Sequence, residues 1–420
     1  MTDLSFLSKA KSNGVNFIPG KISSAQSAKS KVSERDFKFF NPEDLEDLTL
    51  GLDYLCKLYD YNVTLSVQPK YIGSRFNLYL FNTDLDESIK TSYGVTKNGS
   101  VIKPFSQSDG TDKLTQEEFS MIVRDILTRL KPWMDTNGVR MMIIDGVIQP
   151  KRVLESDLFD TKIIPTDAGL SVESELMSKY SFDEVVKSIL NRFEGINTFY
   201  SELDEIDRLL VYGENLVHDY ENFRDLYHLP NEHEMLKYSS TYHLQIQATN
   251  SSKICFKPFS ILKICFVDGT ESIPLLQEVY SQGEMFDILQ KNNQMNAQHL
   301  QIKIKSASDL KIAQIRIRSF FKQLTIDNGF GGIVLKPAYI TENTIPMMQI
   351  RNSDYLMMKY GYDYRIKNKL YALVMSKDVP SEITKSIQEF QLGMEMLVIP
   401  IHEIASSMEY DEIFLKLTEC

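Results

Sequence analysis

The segment QPKYIGSR, residues 68–75, places Lys70 at the end of an apolar strand, with Gly73 three residues on and Ser74 and Arg75 after it. That is a suitable setting for a nucleophilic lysine. An amine with an ordinary pKa of about 10.4 must shed its proton before it attacks phosphorus, and partial burial beside other cations lowers that value. Arg75 and later lysines could supply such a field while holding phosphate or ribose. Taken alone, the segment reads more plainly as a surface lysine ahead of a turn, and both readings stand at this point.

The elements that must position Lys70 follow from periodicity. Leu45, Leu48, Leu52, Leu55, Cys56 and Tyr59 recur at three- and four-residue spacing, which predicts a helix ahead of the first strand. VTLSVQPKYIGSRFNLYLFNT alternates on either side of a turn at Gly73 as two strands would, and YGVTKNGSVIK offers a hairpin around Asn98-Gly99. Residues 115–132 carry a helical stripe of Phe119, Ile122, Val123, Ile126 and Leu130, and VRMMIIDGVIQP reads as a buried strand. Residues 151–240 are mostly helical in pattern and read as an insertion. Strand character is expected again in YHLQIQA, KICFKPFSILKICF and HLQIKIK, with a helix at RIRSFFKQL leading into GFGGIVLKP and PMMQIRN. The expected core includes Leu78, Leu80, Ile143, Ile144, Ile333 and Leu335.

Composition bounds the function classes. The 420 residues hold 46 Lys and Arg against 57 Asp and Glu, a net charge of −11, with 43% hydrophobic content, as in an ordinary globular protein. Residues 201–235 alone contain ten acids and two arginines, so the acidity is local. Residues 1–40 read as a flexible arm. There is no apolar run of membrane-spanning length and no secretory h-region, so a cytoplasmic protein without a membrane partner is expected. The four cysteines form no CxxC pair, and the six histidines have no metal-ligand spacing. No P-loop and no GxGxxG occurs.

Five pieces lie in sequence order: KYIGSR, MIIDGVIQP, CFKPFSILKI, FFKQLTIDNGFGGIVLKP and PMMQIRNSDYLMMKYGYDY. Together they resemble motifs I, III, IIIa, IV and V of the covalent lysyl-adenylate nucleotidyltransferases, and within them the RNA ligase domain of bacterial polynucleotide kinase-phosphatase. SIQEFQLGMEML is similar to that family's C-terminal helical module, and the resemblance spans about residues 40–400. It implies an α+β fold: an antiparallel-sheet nucleotidyltransferase (ATP-grasp-like ligase) domain over 41–354, with a helical insertion near 151–240 and a helical C-terminal module over 355–420.

The resemblance also implies a reaction, in which Lys70 attacks the ATP α-phosphate with Mg or Mn present, and AMP passes to an RNA 5′-phosphate for end joining. In it Lys70 is the nucleophile and Arg75 orients substrate. Lys336 and Arg351 contact phosphate, Phe259 stacks on adenine, and Asp145 is the metal ligand. Three positions depart from the family pattern. Val147 and Gly331 stand where motifs III and IV carry glutamate, and Gln349 stands for the motif V lysine. Magnesium requires oxygen ligands, so a catalytically inactive, ligase-like protein that binds nucleotide or RNA, or serves as an assembly subunit, is expected beside the active enzyme. Asp204 or Glu205 of the insertion could replace a metal ligand, although a solvated helical face is the plainer reading of both. Beyond Arg351, the run from Lys359 to Lys369 combines Lys359, Arg365, Lys367 and Lys369 with three tyrosines, Tyr362 among them. Phosphate neutralisation and base stacking there would suit single-stranded or nicked RNA; a solvated edge is the alternative.

Overall fold

A computed structural model describes residues 23–24, 46, 48–96, 101–102, 114–150, 159–193, 196, 200–223, 230–251, 253–291, 298–339, 347–364, 367–375 and 379–419. The chain divides into two compact units. The first comprises residues 1–156, 251–355 and 374–420; the second comprises 157–250 and 356–373. The segment from 355 onward, expected as one C-terminal module, is thus divided between the two. The arm over 1–40 lies outside the described residues apart from Ser23–Ser24.

Two sheets build the first unit. One has the order β1-β11-β10-β2-β9, with β1 Ser23–Ser24, β2 Val63–Pro69, β9 Leu300–Ile304, β10 Gly332–Pro337 and β11 Met348–Arg351. The other has the order β5-β4-β3-β6-β7-β8, with β3 Ser74–Phe81, β4 Tyr93–Thr96, β5 Val101–Ile102, β6 Val139–Gln149, β7 Cys255–Phe266 and β8 Glu271–Ser272. Every pairing is antiparallel except β1 with β11. The two strands around Gly73 do not form a hairpin. β2 belongs to the first sheet and β3 to the second, so Lys70–Gly73 is the crossover between sheets.

Alternation along each strand sorts side chains to two faces. On the first sheet Leu65, Val67, Ile302, Ile304, Ile333, Leu335, Met348 and Ile350 join a core closed by the helices Leu48–Leu58 and Ala307–Lys322. On the second, Phe76, Leu78, Leu80, Ile144, Ile148 and Ile261 pack beneath the helices Gln116–Thr136, Gln282–Gln290, Val379–Val398 and Met408–Glu419. The six expected core residues are all fully buried. The remaining faces are polar: Ser66, Gln68, Lys70, Lys336, Gln349 and Arg351 alternate with the first core, and Arg75, Asn77, Asp145 and Ser260 with the second.

The second unit is helical, with Ile164–Lys179, Phe182–Leu190, Glu205–Tyr212, Glu214–Phe223 and Glu232–Ser251. YHLQIQA, expected as a strand, lies in the last of these helices. Its apolar residues continue a stripe of Met235, Tyr238, Tyr242 and Ile246 at helical spacing, which overrides the local alternation. The Tyr242 hydroxyl donates to the Met357 carbonyl at 3.0 Å, joining 356–373 to this unit.

Close packing of β3 against β4 depends on Gly94, where a Cβ would lie 1.7 Å from Cζ of the fully buried Phe76. Gly94→Ala should therefore destabilise the chain by about 1–3 kcal/mol or more in urea denaturation. Adding Phe76→Leu should recover part of that loss, leaving a coupling above about 0.5 kcal/mol.

Candidate functional site

The polar faces of the two sheets meet. Lys336 on β10 is 2% exposed; its Nζ donates to the Phe259 carbonyl of β7 at 3.4 Å and lies 4.5 Å from the centroid of the Phe259 ring. Gln68 on β2 donates from Nε2 to Ser66 Oγ at 3.2 Å and to the Gln282 carbonyl at 3.0 Å, while Ser260 on β7 donates to Gln282 Oε1 at 3.4 Å. Gln282 begins its helix behind a capping box, in which Ser281 accepts from the Glu284 N–H and Glu284 accepts from the Ser281 N–H.

Lys70 continues the line of β2 beyond Pro69. Its N–H donates to the Gly332 carbonyl at 2.9 Å and its carbonyl accepts from the Gly331 N–H at 3.0 Å, which brings the KYIGSR and GFGGIVLKP segments side by side. Gly332 has φ of +140°, and a Cβ there would lie 2.1 Å from the Ile350 carbonyl oxygen, so only glycine fits this contact. The half-buried Lys70 ammonium lies 5.1 Å from the Tyr355 ring centroid, and the Arg351 guanidinium lies 5.8 Å from the same ring.

Arg75 and Arg351, both named from sequence, are held by buried carboxylates. Arg75 donates to Asp145 from Nε at 3.1 Å and from Nη2 at 2.6 Å, occupying both carboxylate oxygens of a side chain 2% exposed. In register Arg75 pairs with Val147 and Asn77 with Asp145, so the ion pair runs diagonally across β3 and β6. Arg351, 5% exposed, donates from its N–H and its guanidinium to the buried Glu46.

Two of the three positions that depart from the motif pattern, Val147 and Gly331, have apolar surroundings. Val147 belongs to a cluster with Tyr71, Phe259 and Phe286, with Phe330 packed on it and the Tyr71 and Phe330 rings 5.5 Å apart. At Gly331 a Cβ would lie 2.9 Å from Ile72 Cγ1 and 3.0 Å from Tyr355 Cδ2, so side chains already fill the space a glutamate would need. Among the described residues no three His, Cys, Asp or Glu side chains converge to hold a metal ion. With both Asp145 oxygens paired to Arg75 and no carboxylate at positions 147 and 331, the donors on this face do not fit a magnesium or manganese site. Asp204, for its part, caps a helix of the second unit by accepting from the Asp207 N–H at 2.8 Å.

Gln68 Oε1 and Asn77 Oδ1 are buried acceptors without a hydrogen-bond partner among the described residues, and the buried Tyr71 hydroxyl is likewise unpartnered. Such groups cost free energy unless something pairs with them. They leave two acceptors and a hydroxyl able to pair with donors from outside the chain, such as an exocyclic amino group. Sequence reasoning missed Gln68, Asn77, Gln282, Tyr355 and Glu46. Glu46 meets Arg351 across 305 residues, a separation at which no local pattern exists.

The RNA strip is distributed otherwise. Arg351 lies in the first unit, while Lys359, Tyr362 and Lys369 lie in the second. There Tyr362 donates to Glu173 at 3.5 Å and packs its ring 6.2 Å from that of Tyr238. Lys369 pairs with Asp363, and Lys359 lies over the Tyr360 ring. The Lys367 side chain lies outside the described residues.

No family model matches the sequence, and no curated protein matches it. Chains of solved structures do match, among them the two that follow. A chain in the structure of the Pnkp1/Rnl/Hen1 complex matches with a TM-score of 0.70 and 20% identity, covering 98% of this chain and 95% of that one. A chain in the structure of the Pnkp1/Rnl/Hen1 RNA repair complex matches with a TM-score of 0.73 and 19% identity, covering 99% and 97%. The likeness is one of fold, and it extends over nearly the whole of both chains: a mixed α+β fold on antiparallel sheets.

Burial is the main cause of a Lys336 pKa lowered to about 7; Asp145 opposes the shift and Arg75 adds to it. Between that value and the ordinary lysine pKa the unfolded chain binds a proton that the folded chain has released, so Lys336 makes stability rise with pH across this window. Its cost is complete below pH 7. Urea denaturation of the wild type and of Lys336→Met should therefore show their difference moving in favour of the wild type by about 1.4 kcal/mol per unit from pH 7 to pH 9. Glu46→Gln, which leaves Arg351 buried without its anion, should cost about 3–5 kcal/mol in the same measurement.

Proposed function

We propose that the chain is a ligase-fold protein that binds an adenine nucleotide without transferring its adenylyl group, and that it serves as a member of an RNA-repair assembly. The observation that carries this reading is the state of the carboxylate positions. Both oxygens of Asp145 are engaged by Arg75, Val147 sits in an aromatic cluster, and Gly331 is roofed by Ile72 and Tyr355. Phosphoryl and adenylyl transfer depend on stabilising charge that develops on phosphate oxygens, and each lost stabilising group costs about two to three orders of magnitude. The unpartnered polar atoms of Gln68, Asn77 and Tyr71 support base binding. Likeness over nearly the full length to a chain of an RNA repair complex supports the assembly role.

A second reading, covalent adenylation of Lys70 with RNA end joining, draws support from the pairing of the Lys70 segment with β10, which also bears Lys336. One experiment separates them. Incubation with ATP labelled at the α-phosphate, with Mg²⁺ or Mn²⁺, should leave no label on the protein, while equilibrium binding of ATP should persist in excess chelator. Label that disappears in Lys70→Ala would establish the ligase reading instead, and absence of any ATP binding would remove the nucleotide from the function.

A further inference from the structure

The helix Glu205–Tyr212 of the second unit contains no buried residue, yet half of it is large and apolar. Ile206 is 68% exposed, Leu209 41%, Leu210 78% and Val211 61%. Ile206, Leu209 and Leu210 fall at i, i+3 and i+4 and so form one face. The other side of the helix is already engaged. Tyr212 packs on the small core of Phe193, Ile196, Tyr200 and Tyr220, and Arg208 donates from Nε to the Tyr200 carbonyl at 2.9 Å with its guanidinium 4.5 Å from that ring. The Asp204 cap fixes the start of the helix. The apolar face is therefore held outward by contacts on the opposite side.

What rims this face decides what can cover it. Glu202, Asp204, Glu205, Asp207 and Glu214 are all exposed. Arg208 is the one cation in residues 200–223, and Tyr200 and Glu221 already hold it. An anionic rim repels RNA phosphates, an anionic lipid surface and the same face of a second copy. It attracts a protein segment that presents apolar side chains flanked by Lys and Arg.

We infer that Ile206, Leu209 and Leu210, within their carboxylate rim, form a docking surface for a basic amphipathic protein segment. An exposed helical stripe of large apolar residues marks an interaction site, and a helix laid along it would be read through i, i+3 and i+4 anchors. This inference rests on the proposed assembly role only in giving the surface a use, since docking and nucleotide binding are measured separately.

The test uses the full chain and a fluorescent amphipathic Leu/Lys helical peptide, with a Leu/Glu peptide of the same pattern as control. Anisotropy should show the Lys peptide binding, more weakly at high salt, and about tenfold more weakly to the Ile206→Ser/Leu210→Ser variant. Glu205→Gln/Asp207→Asn should reduce both affinity and its dependence on salt. The substituted side chains are exposed, so circular dichroism melting of the variants should match the wild type. Equal affinity of wild type and serine variant for the Lys peptide would overturn the inference, as would equal binding of the Glu peptide. Sedimentation that shows a wild-type dimer lost in the serine variant would overturn it in favour of self-association, and RNA binding lost in that variant would overturn it in favour of nucleic acid. Absence of ATP binding by the wild type, with peptide binding intact, would instead count against the proposed nucleotide function alone.

Discussion

Arg75 and Asp145 meet by two hydrogen bonds across neighbouring antiparallel strands, in a place where Asp145 is 2% exposed. A carboxylate so deeply buried needs a counter-charge with matching geometry, and the planar guanidinium supplies it. The same contact fixes what surrounds it. Lys336 lies close enough to feel both charges, and with Arg75 already opposing Asp145 little net field remains to keep the buried ammonium protonated. Burial therefore dominates Lys336, and its place against the Phe259 carbonyl and ring follows.

Around this pair the two sheets divide their labour. Their outer faces are apolar and carry helices, so stability is gathered in two separate cores. Their inner faces carry the polar side chains, and the crossover Lys70–Gly73 carries the chain from one sheet to the other. That arrangement delivers Lys70, Arg75 and Asp145 to one region from a short stretch of sequence and one partner strand. Glu46 and Tyr355 then restrain the cations at its edge, Glu46 by a buried ion pair with Arg351 and Tyr355 by offering one ring to Lys70 and Arg351.

Much of this was legible in the sequence because it is local. Periodicity located the helices at 48–58 and 116–136 and the buried strands β6, β7 and β10. The departures Val147 and Gly331 could be named, but not what replaced the carboxylates, since Ile72, Tyr355 and the aromatic cluster converge only in three dimensions. The Gly73 turn resembled a hairpin because alternation on both sides specifies strands but not which sheet each one joins. YHLQIQA misled for a related reason: seven alternating residues are too few to outweigh the helical spacing of Met235, Tyr238, Tyr242 and Ile246.

The claim on which the rest depends is that the buried guanidinium has taken the place of a cation at Asp145. Titration of Mn²⁺ into the nucleotide-free protein, followed by the paramagnetic resonance signal of the free ion, tests it directly. The Arg75–Asp145 pair predicts that wild type and Asp145→Asn reduce the free signal equally, because neither binds manganese at this position. A bound ion present in the wild type and absent from Asp145→Asn would contradict it.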